Sequence, residues 1–316
     1  MCTGIRFDDD KNNLYFGRNL DWSTGYGEKI VVTPKNYQYK SAFLGEMSPR
    51  NAIIGMGIIE ENIPLYFDCA NEAGLAIAGL NFPGYASYEN SPVEGKINVS
   101  AYEFPLWVAM NFTTVDEAEA ALKNVAIIAK PINEKYPVSL LHWLIGDKTR
   151  SIVVEYTDKG MQIFKNDFDV LTNQPGYDWH RENMRNYMNI MSPEPEKVTW
   201  GNATMTPFGA GSLMRGLPGD SYSSSRFVRV AYHNTHYPVK STEEENVSRL
   251  FHTLASVAMI DGGARMTDGN YEKTIYTGGF SSATGTYYYN TYEDPAIKKA
   301  AFADFDLTST TLITKE

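Results

Sequence analysis

Cysteine is scarce: Cys2 and Cys69 are the only two in 316 residues. That is too few for the disulfide framework of a small secreted domain or for a cysteine-ligated zinc site. Positive charge is also short, with 28 Lys and Arg against 38 Asp and Glu, a formal net charge of −10 and no basic run. A nucleic-acid partner is thereby disfavoured, because phosphate binding depends on clustered cations. Long apolar runs are missing too. AIIGMGII at 52–59 falls well short of the roughly 20 residues that span a bilayer, so no membrane helix is expected. The N-terminus lacks the basic start, apolar stretch and small-residue cleavage site of a secretory signal, and a cytoplasmic location is expected.

What is present suits a folded core: 43% of residues are hydrophobic and 21% charged. The first 90 residues read as strands broken by polar turns, with CTGIRFD, LYFGRNLD, EKIVVT, NAIIGMGII, PLYFDCA and LAIAGLNF separated by signals such as DDKNN and NEAG. A helical pattern follows from Ala101 to Lys123, and Thr114 with Glu117 spells a capping box. LLHWLIGD, SIVVEYT and MQIFKND return to strands, HRENMRNYMNIM and SSSRFVRVAY read as helices, and TYYYNTY and TLITKE read as late strands. Thr242 and Glu245 cap another helix, whose Val247, Leu250, Phe251 and Leu254 make one apolar stripe. Strands and helices in alternating blocks predict stacked layers around antiparallel sheets in a single domain, 1–316. The Gly-, Pro- and Met-rich stretch at about 191–220 is long for a loop in a compact domain.

The chemistry concentrates at the N-terminus. Once Met1 is removed, Cys2 carries a thiol and a free α-amine together, a nucleophile with its own base. An α-amine has a pKa of roughly 7.7 to 8 and a thiol roughly 8.5, so both stand close to neutrality. CTGIRFD has a hairpin partner in FGRNLDW, which would hold that end in place. The partner carries Arg18 and Asp21, on opposite faces of a regular strand: a guanidinium near the sulfur would favour thiolate, and a carboxylate could orient the amine.

These segments, together with NEAGLAIAGLNFPGYA, SIVVE, VLTNQP, GLPGDSYSSSRFVR and TYYYNTY in that order, resemble the choloylglycine hydrolase family, and within it the bile salt hydrolases, of the N-terminal nucleophile hydrolase superfamily. The resemblance covers essentially the whole chain. It implies an α+β fold, a four-layer αββα sandwich of two antiparallel sheets between helices. It implies catalytic roles for Cys2, Arg18, Asp21, Asn81, Asn173 and Arg226, with the two asparagines at the oxyanion, and an amide hydrolysis that passes through a Cys2 thioester with no metal or organic cofactor. Its substrates would be bile salts conjugated to glycine or taurine. The segment at 191–220 would then make subunit contacts in a homotetramer.

An acidic protein gains no long-range attraction to an anionic substrate, so affinity must come from apolar contact; about 300 Å² of buried steroid would contribute on the order of 7 kcal/mol before binding costs. Leu20, Trp22, Leu65, Phe67 and Leu141, beside or between the motifs, are candidates for that surface. Cys69, inside PLYFDCA, is expected to be a small buried hydrophobe. DDDKNN lacks the Gly and Glu of a calcium loop, and His233 with His236 lacks further ligands, so no metal site is expected. The alternative activity is that of a penicillin V acylase, in which position 81 is commonly Tyr; Asn81 favours bile salts.

Overall fold

The computed structural model describes residues 1–194 and 196–315. CTGIRFD forms β1 (Cys2–Asp8) and LYFGRNLDW forms β2 (Leu14–Trp22). They pair antiparallel, with Cys2 opposite Leu20 and Asp8 opposite Leu14. Asp9 makes the turn between them by accepting from the backbone N–H groups of Lys11 and Asn13, and Asn12 takes the positive φ of 58° that asparagine tolerates.

A seven-stranded sheet runs Val170–Leu171, β1, β2, Tyr271–Ser281, Thr286–Thr291 and Lys298–Ala301, with Ala264–Arg265 paired beside Tyr271–Ser281. An eight-stranded sheet runs Gly160–Lys165, Ser151–Thr157, Leu141–Gly146, Ala76–Asn81, Ile63–Asn71, Ile53–Glu60, Lys29–Thr33 and Ile313–Lys315. Neighbours pair antiparallel throughout both. The helices are α1 (Phe104–Asn111), α2 (Val115–Leu122), α3 (Tyr177–Asn183), α4 (Ser223–His236) and α5 (Glu243–Ala255).

The glycines show which faces meet. A Cβ on Gly4 would come within 3.1 Å of Leu144 in the other sheet, whereas one on Gly17 or Gly279 would press on Leu250 of α5 at 3.0 and 2.8 Å. Even-numbered residues of β1 and β2 therefore face the second sheet, and odd-numbered ones face α4 and α5. On the far side, Asn71 donates to the carbonyls of Ala109 and Phe112 at the end of α1, and Phe104, Trp107 and Leu122 are buried against Ile77, Trp143 and Ile152. One apolar cluster fills the space between the sheets and under α4 and α5; a second lies under α1 and α2. The architecture is the expected α+β sandwich of four layers.

The capping box at Thr242 and Glu245 forms as written, and the stripe Val247, Leu250, Phe251 and Leu254 is buried. At α2, Thr114 accepts from Glu117 N, but the Glu117 carboxylate turns to Thr113, so only half of that box closes. The helix expected from HRENMRNYMNIM starts earlier, at Tyr177, and gives way to a 3₁₀ turn over Met184–Tyr187. Tyr271–Ser281, which contains Gly278 and Gly279, is a strand that the sequence pattern did not mark. Packing demands those glycines: a Cβ on Gly278 would strike the Tyr287 hydroxyl. Within 191–220 the chain makes an exposed hairpin, Val198–Trp200 against Ala203–Met205, and a 3₁₀ turn at Ser212–Met214; Pro195 in that segment lies outside the described residues.

Candidate active site

The end of β1 places Cys2 at the floor of a cavity of about 700 Å³. Arg18, Asp21 and Asn81 share its lining, and so do all the apolar candidates, Leu20, Trp22, Leu65, Phe67 and Leu141. Asn173 and Arg226 do not line it; they stand behind Cys2 and hold its main chain.

That hold is specific. Asn173 Oδ1 accepts from Cys2 N at 2.7 Å and from Arg226 Nη2 at 2.7 Å, which fixes the carboxamide's orientation, since both partners only donate. Its Nδ2 donates to the Asn81 carbonyl at 2.7 Å. Arg226 Nη1 donates to Cys2 O and Thr3 Oγ1, both at 2.6 Å, and Nε to Ser221 O. Ser223, one helical turn before Arg226 on α4, accepts from Asn173 N at 3.0 Å. The SSSR run is thus the first turn of a helix whose buried face grips the loop after Val170–Leu171.

Arg18 and Asp21 lie on opposite faces of β2, as their spacing requires, and so they flank Cys2 from two sides. Arg18 faces the second sheet with the Cys2 side chain, and its Nη1 donates to Phe67 O at 3.1 Å and Gly79 O at 2.9 Å. A bulge in Ile63–Asn71, between the partners of Met56 and Gly57, falls at Phe67 and presents that carbonyl inward. Burial works to lower the Arg18 pKa, but the acidic neighbours Cys2, Tyr276, Asp68 and Asp21 outweigh it and raise the pKa overall. Asp21 lies on the helix side. Its Oδ1 accepts from Thr274 Oγ1 at 2.7 Å and its Oδ2 stands 4.0 Å from Arg226 Nη1. Burial pushes its carboxyl above the usual range, against the opposing pull of Arg226. Among the described residues, Arg18 Nη2 and Asp21 Oδ2 have no hydrogen-bond partner.

Met1 continues the strand past Cys2. Its ammonium donates to Asp21 O at 2.7 Å and to Glu272 Oε1 at 2.9 Å, and Asp21 N donates back to Met1 O. With Met1 attached, Cys2 N is an amide nitrogen with no basic lone pair.

A family model described as linear amide C–N hydrolases, choloylglycine hydrolase family, matches residues 2–315. The chain belongs to the choloylglycine hydrolase family. It is 57% identical over 314 residues to a bile salt hydrolase/transferase of Bifidobacterium longum subsp. longum, covering 99% of each. The crystal structure of the C2A mutant of a conjugated bile acid hydrolase from Clostridium perfringens superposes with a TM-score of 0.93 at 36% identity, covering 100% of this chain and 97% of that one. A penicillin V acylase of Pectobacterium atrosepticum is much further away, 26% identical over 245 residues. As a choloylglycine hydrolase, the chain is an enzyme acting on linear amide bonds.

Part of this family site escaped the sequence reading. Thr274, Thr3 and Ser223 touch Asp21, Arg226 and Asn173, yet isolated Thr and Ser carry no signal in a strand or helix pattern. The segment 132–140 and Tyr26 also line the cavity of this hydrolase. Cys69 is buried, and burial pushes its thiol well up, in keeping with an inert core residue.

Proposed function

We propose that this chain hydrolyses the amide bond of glycine- or taurine-conjugated bile salts to the free bile acid and the amino acid. The observation that carries the reading is Cys2, its nitrogen held by Asn173 and its side chain at the floor of a cavity walled by Leu20, Trp22, Leu65, Phe67 and Leu141. A largely apolar cavity with a thiol in its lining suits an amphiphile whose amide reaches that thiol.

Loss of Met1 turns Cys2 N into an α-amine already anchored to Asn173 Oδ1. The amine takes the thiol proton, and sulfur attacks the substrate carbonyl carbon. Asn81 at the cavity wall donates to the resulting oxyanion. Collapse breaks the C–N bond, the α-ammonium returns its proton to the leaving amine, and a thioester remains. Water, deprotonated by the same amine, cleaves the thioester and restores the thiol. Arg18 lies on the sulfur side of β2; Asp21 and Arg226 keep the main chain and amine in register.

Initial rates on taurocholate, glycocholate and penicillin V test this. The bile salts turn over fastest, Cys2→Ala is inactive while still folded, and intact mass shows Met1 missing from active enzyme; preference for penicillin V, or activity in Cys2→Ala, overturns the reading.

The chain reads as one domain with the 191–220 segment as a subunit contact, and as a homotetramer in the cytoplasm. Trp200, Met205 and Phe208 on that segment, with Met188 beside it, expose apolar surface of the kind that oligomers cover. A free nucleophilic thiol suits a reducing compartment. Among the described residues no helix is long and apolar enough to cross a membrane. Light scattering gives the mass, and a monomer at working concentration removes the contact role.

A further inference from the structure

The carboxamide of Asn173 touches Cys2, Arg226 and Asn81, yet its residue sits in a loop rather than in a strand. Two histidines outside the cavity meet that loop from behind. His142 Nε2 lies 2.8 Å from Thr172 O, and His180 Nε2 lies 3.0 Å from Asn173 O, the next carbonyl along. A carbonyl oxygen only accepts, so each Nε2 carries a proton and donates.

Neither ring is free to turn. His180 is fully buried and stacks on Phe227 of α4 at 4.6 Å and 9°. His142 is fully buried and stacks on Phe82 at 4.1 Å and 9°. Glu155 Oε1 stands 3.2 Å from His142 Nδ1 and accepts from Tyr177 N at 2.9 Å, tying that histidine to the start of α3, which carries His180. Phe82 follows Asn81, whose carbonyl receives the Asn173 amide. His142 therefore braces both asparagine segments at once, one by stacking and one by a hydrogen bond.

We propose that His180 and His142 are positioning residues that fix the Thr172–Asn173 backbone and so set the Asn173 carboxamide against Cys2. The proposal rests on the reading of Cys2 and Asn173 as part of the reacting centre. Burial pushes His180 down to about 4, so it stays neutral, with its one proton on Nε2 toward Asn173, across the working range. A loop carbonyl could be satisfied by water; a stacked imidazole fixes it in direction as well as in partner, and misplacement of a reacting group by about 1 Å can lower a rate by about 100-fold.

The test is a set of variants assayed on glycocholate. His180→Phe keeps a ring against Phe227 and removes the donor; His180→Gln keeps an Nε2–H near the imidazole position. The expected result is a fall in kcat of roughly 10- to 100-fold in His180→Phe with KM within about two-fold, and recovery of most of that loss in His180→Gln. Asn173→Ala is measured alone and combined with His180→Phe. If His180 works through Asn173, adding His180→Phe to Asn173→Ala costs less than two-fold more. Unchanged kcat in His180→Phe, equal losses in Phe and Gln, or full additivity with Asn173→Ala each overturns the proposal. Should His180→Phe fail to fold, His142→Phe and His142→Gln are read by the same criteria, and failure of His142→Phe to fold as well overturns it, since both rings would then be structural. If Asn173→Ala itself retains full kcat, it is the parent reading of the site that falls.

Discussion

Thr274→Val tests the reading that Asp21 orients the Cys2 amine as a carboxylate. Asp21 is about as buried as any residue here, 1% exposed, and burial drives its carboxyl toward the neutral form. Thr274 Oγ1 opposes this by donating to Oδ1 at 2.7 Å. Valine keeps the shape and branching of threonine and removes the donor. A hydrogen bond to a charged group is worth about 1.5–3 kcal/mol. That stabilisation belongs mainly to the carboxylate, so at 1.36 kcal/mol per unit its loss raises the Asp21 pKa by roughly 1–2 units. The sign is set: a carboxylate that protonates at higher pH loses activity earlier as the medium is acidified. Thr274 Oγ1 also accepts from Met259 N at 2.8 Å, so valine leaves that buried N–H unpaired and lowers stability by about 1–3 kcal/mol. Rates are therefore compared well below the variant's Tm. The assay is kcat/KM for glycocholate hydrolysis against pH, which reports the free enzyme's groups. The acid limb moves up by roughly 1–2 units in Thr274→Val, with the neutral plateau kept within a few-fold, and Thr274→Ser, which retains the hydroxyl, stays close to wild type. Superimposable acid limbs, or a uniform fall with no shift, would refute the role given to Asp21.

Asn81→Ala removes the side-chain donor at the cavity wall and lowers kcat by about 100- to 1,000-fold, about 2.7–4 kcal/mol, with KM little changed; steady-state kinetics that move KM instead assign Asn81 to ground-state binding. Phe67→Ala takes an aromatic wall from the cavity while leaving the backbone carbonyl that holds Arg18, so KM for bile salts rises about 10- to 50-fold with kcat within a few-fold. Stability falls with acid through His180: the unfolded chain takes up its proton near 6.5, the buried imidazole only near about 4, so about 3 kcal/mol is lost as pH drops between those values. Urea midpoints at pH 7, 5.5 and 4.5 record this, and the slope shrinks in His180→Gln.

Features set by neighbours in the chain were readable. Thr242 and Glu245 lie three residues apart and close their box, whereas Thr114 and Glu117 at the same spacing close half of theirs because the Glu117 carboxylate turns to Thr113. Asp9 makes the first hairpin turn through its own carboxylate, with Asn12 taking the positive φ. The helix periodicity of Val247, Leu250, Phe251 and Leu254 named a buried face without saying against what. The strand Tyr271–Ser281 went unread because its glycines answer to Tyr287 and Leu250, partners invisible to a local pattern. Cys2, Arg18 and Asp21 were legible in the first hairpin, but Asn81, Asn173 and Arg226 only through family resemblance, since no spacing rule links them to Cys2.

From composition and local pattern alone came a strand-rich layered protein, without a disulfide framework or a membrane helix, whose N-terminal thiol is built into a hairpin. Packing of the two sheets and their helices decided the rest. It sent Arg18 to the sulfur side and Asp21 to the main-chain side, and it oriented Asn173 so that its oxygen meets Cys2 N and its nitrogen meets Asn81 O. It also set His142 and His180 behind that loop. The reason is one of range: caps, turns and amphipathic stripes depend on residues a few positions apart, whereas a hydrogen bond of 2.7 Å between residues 171 positions apart exists only once every layer between them is in place.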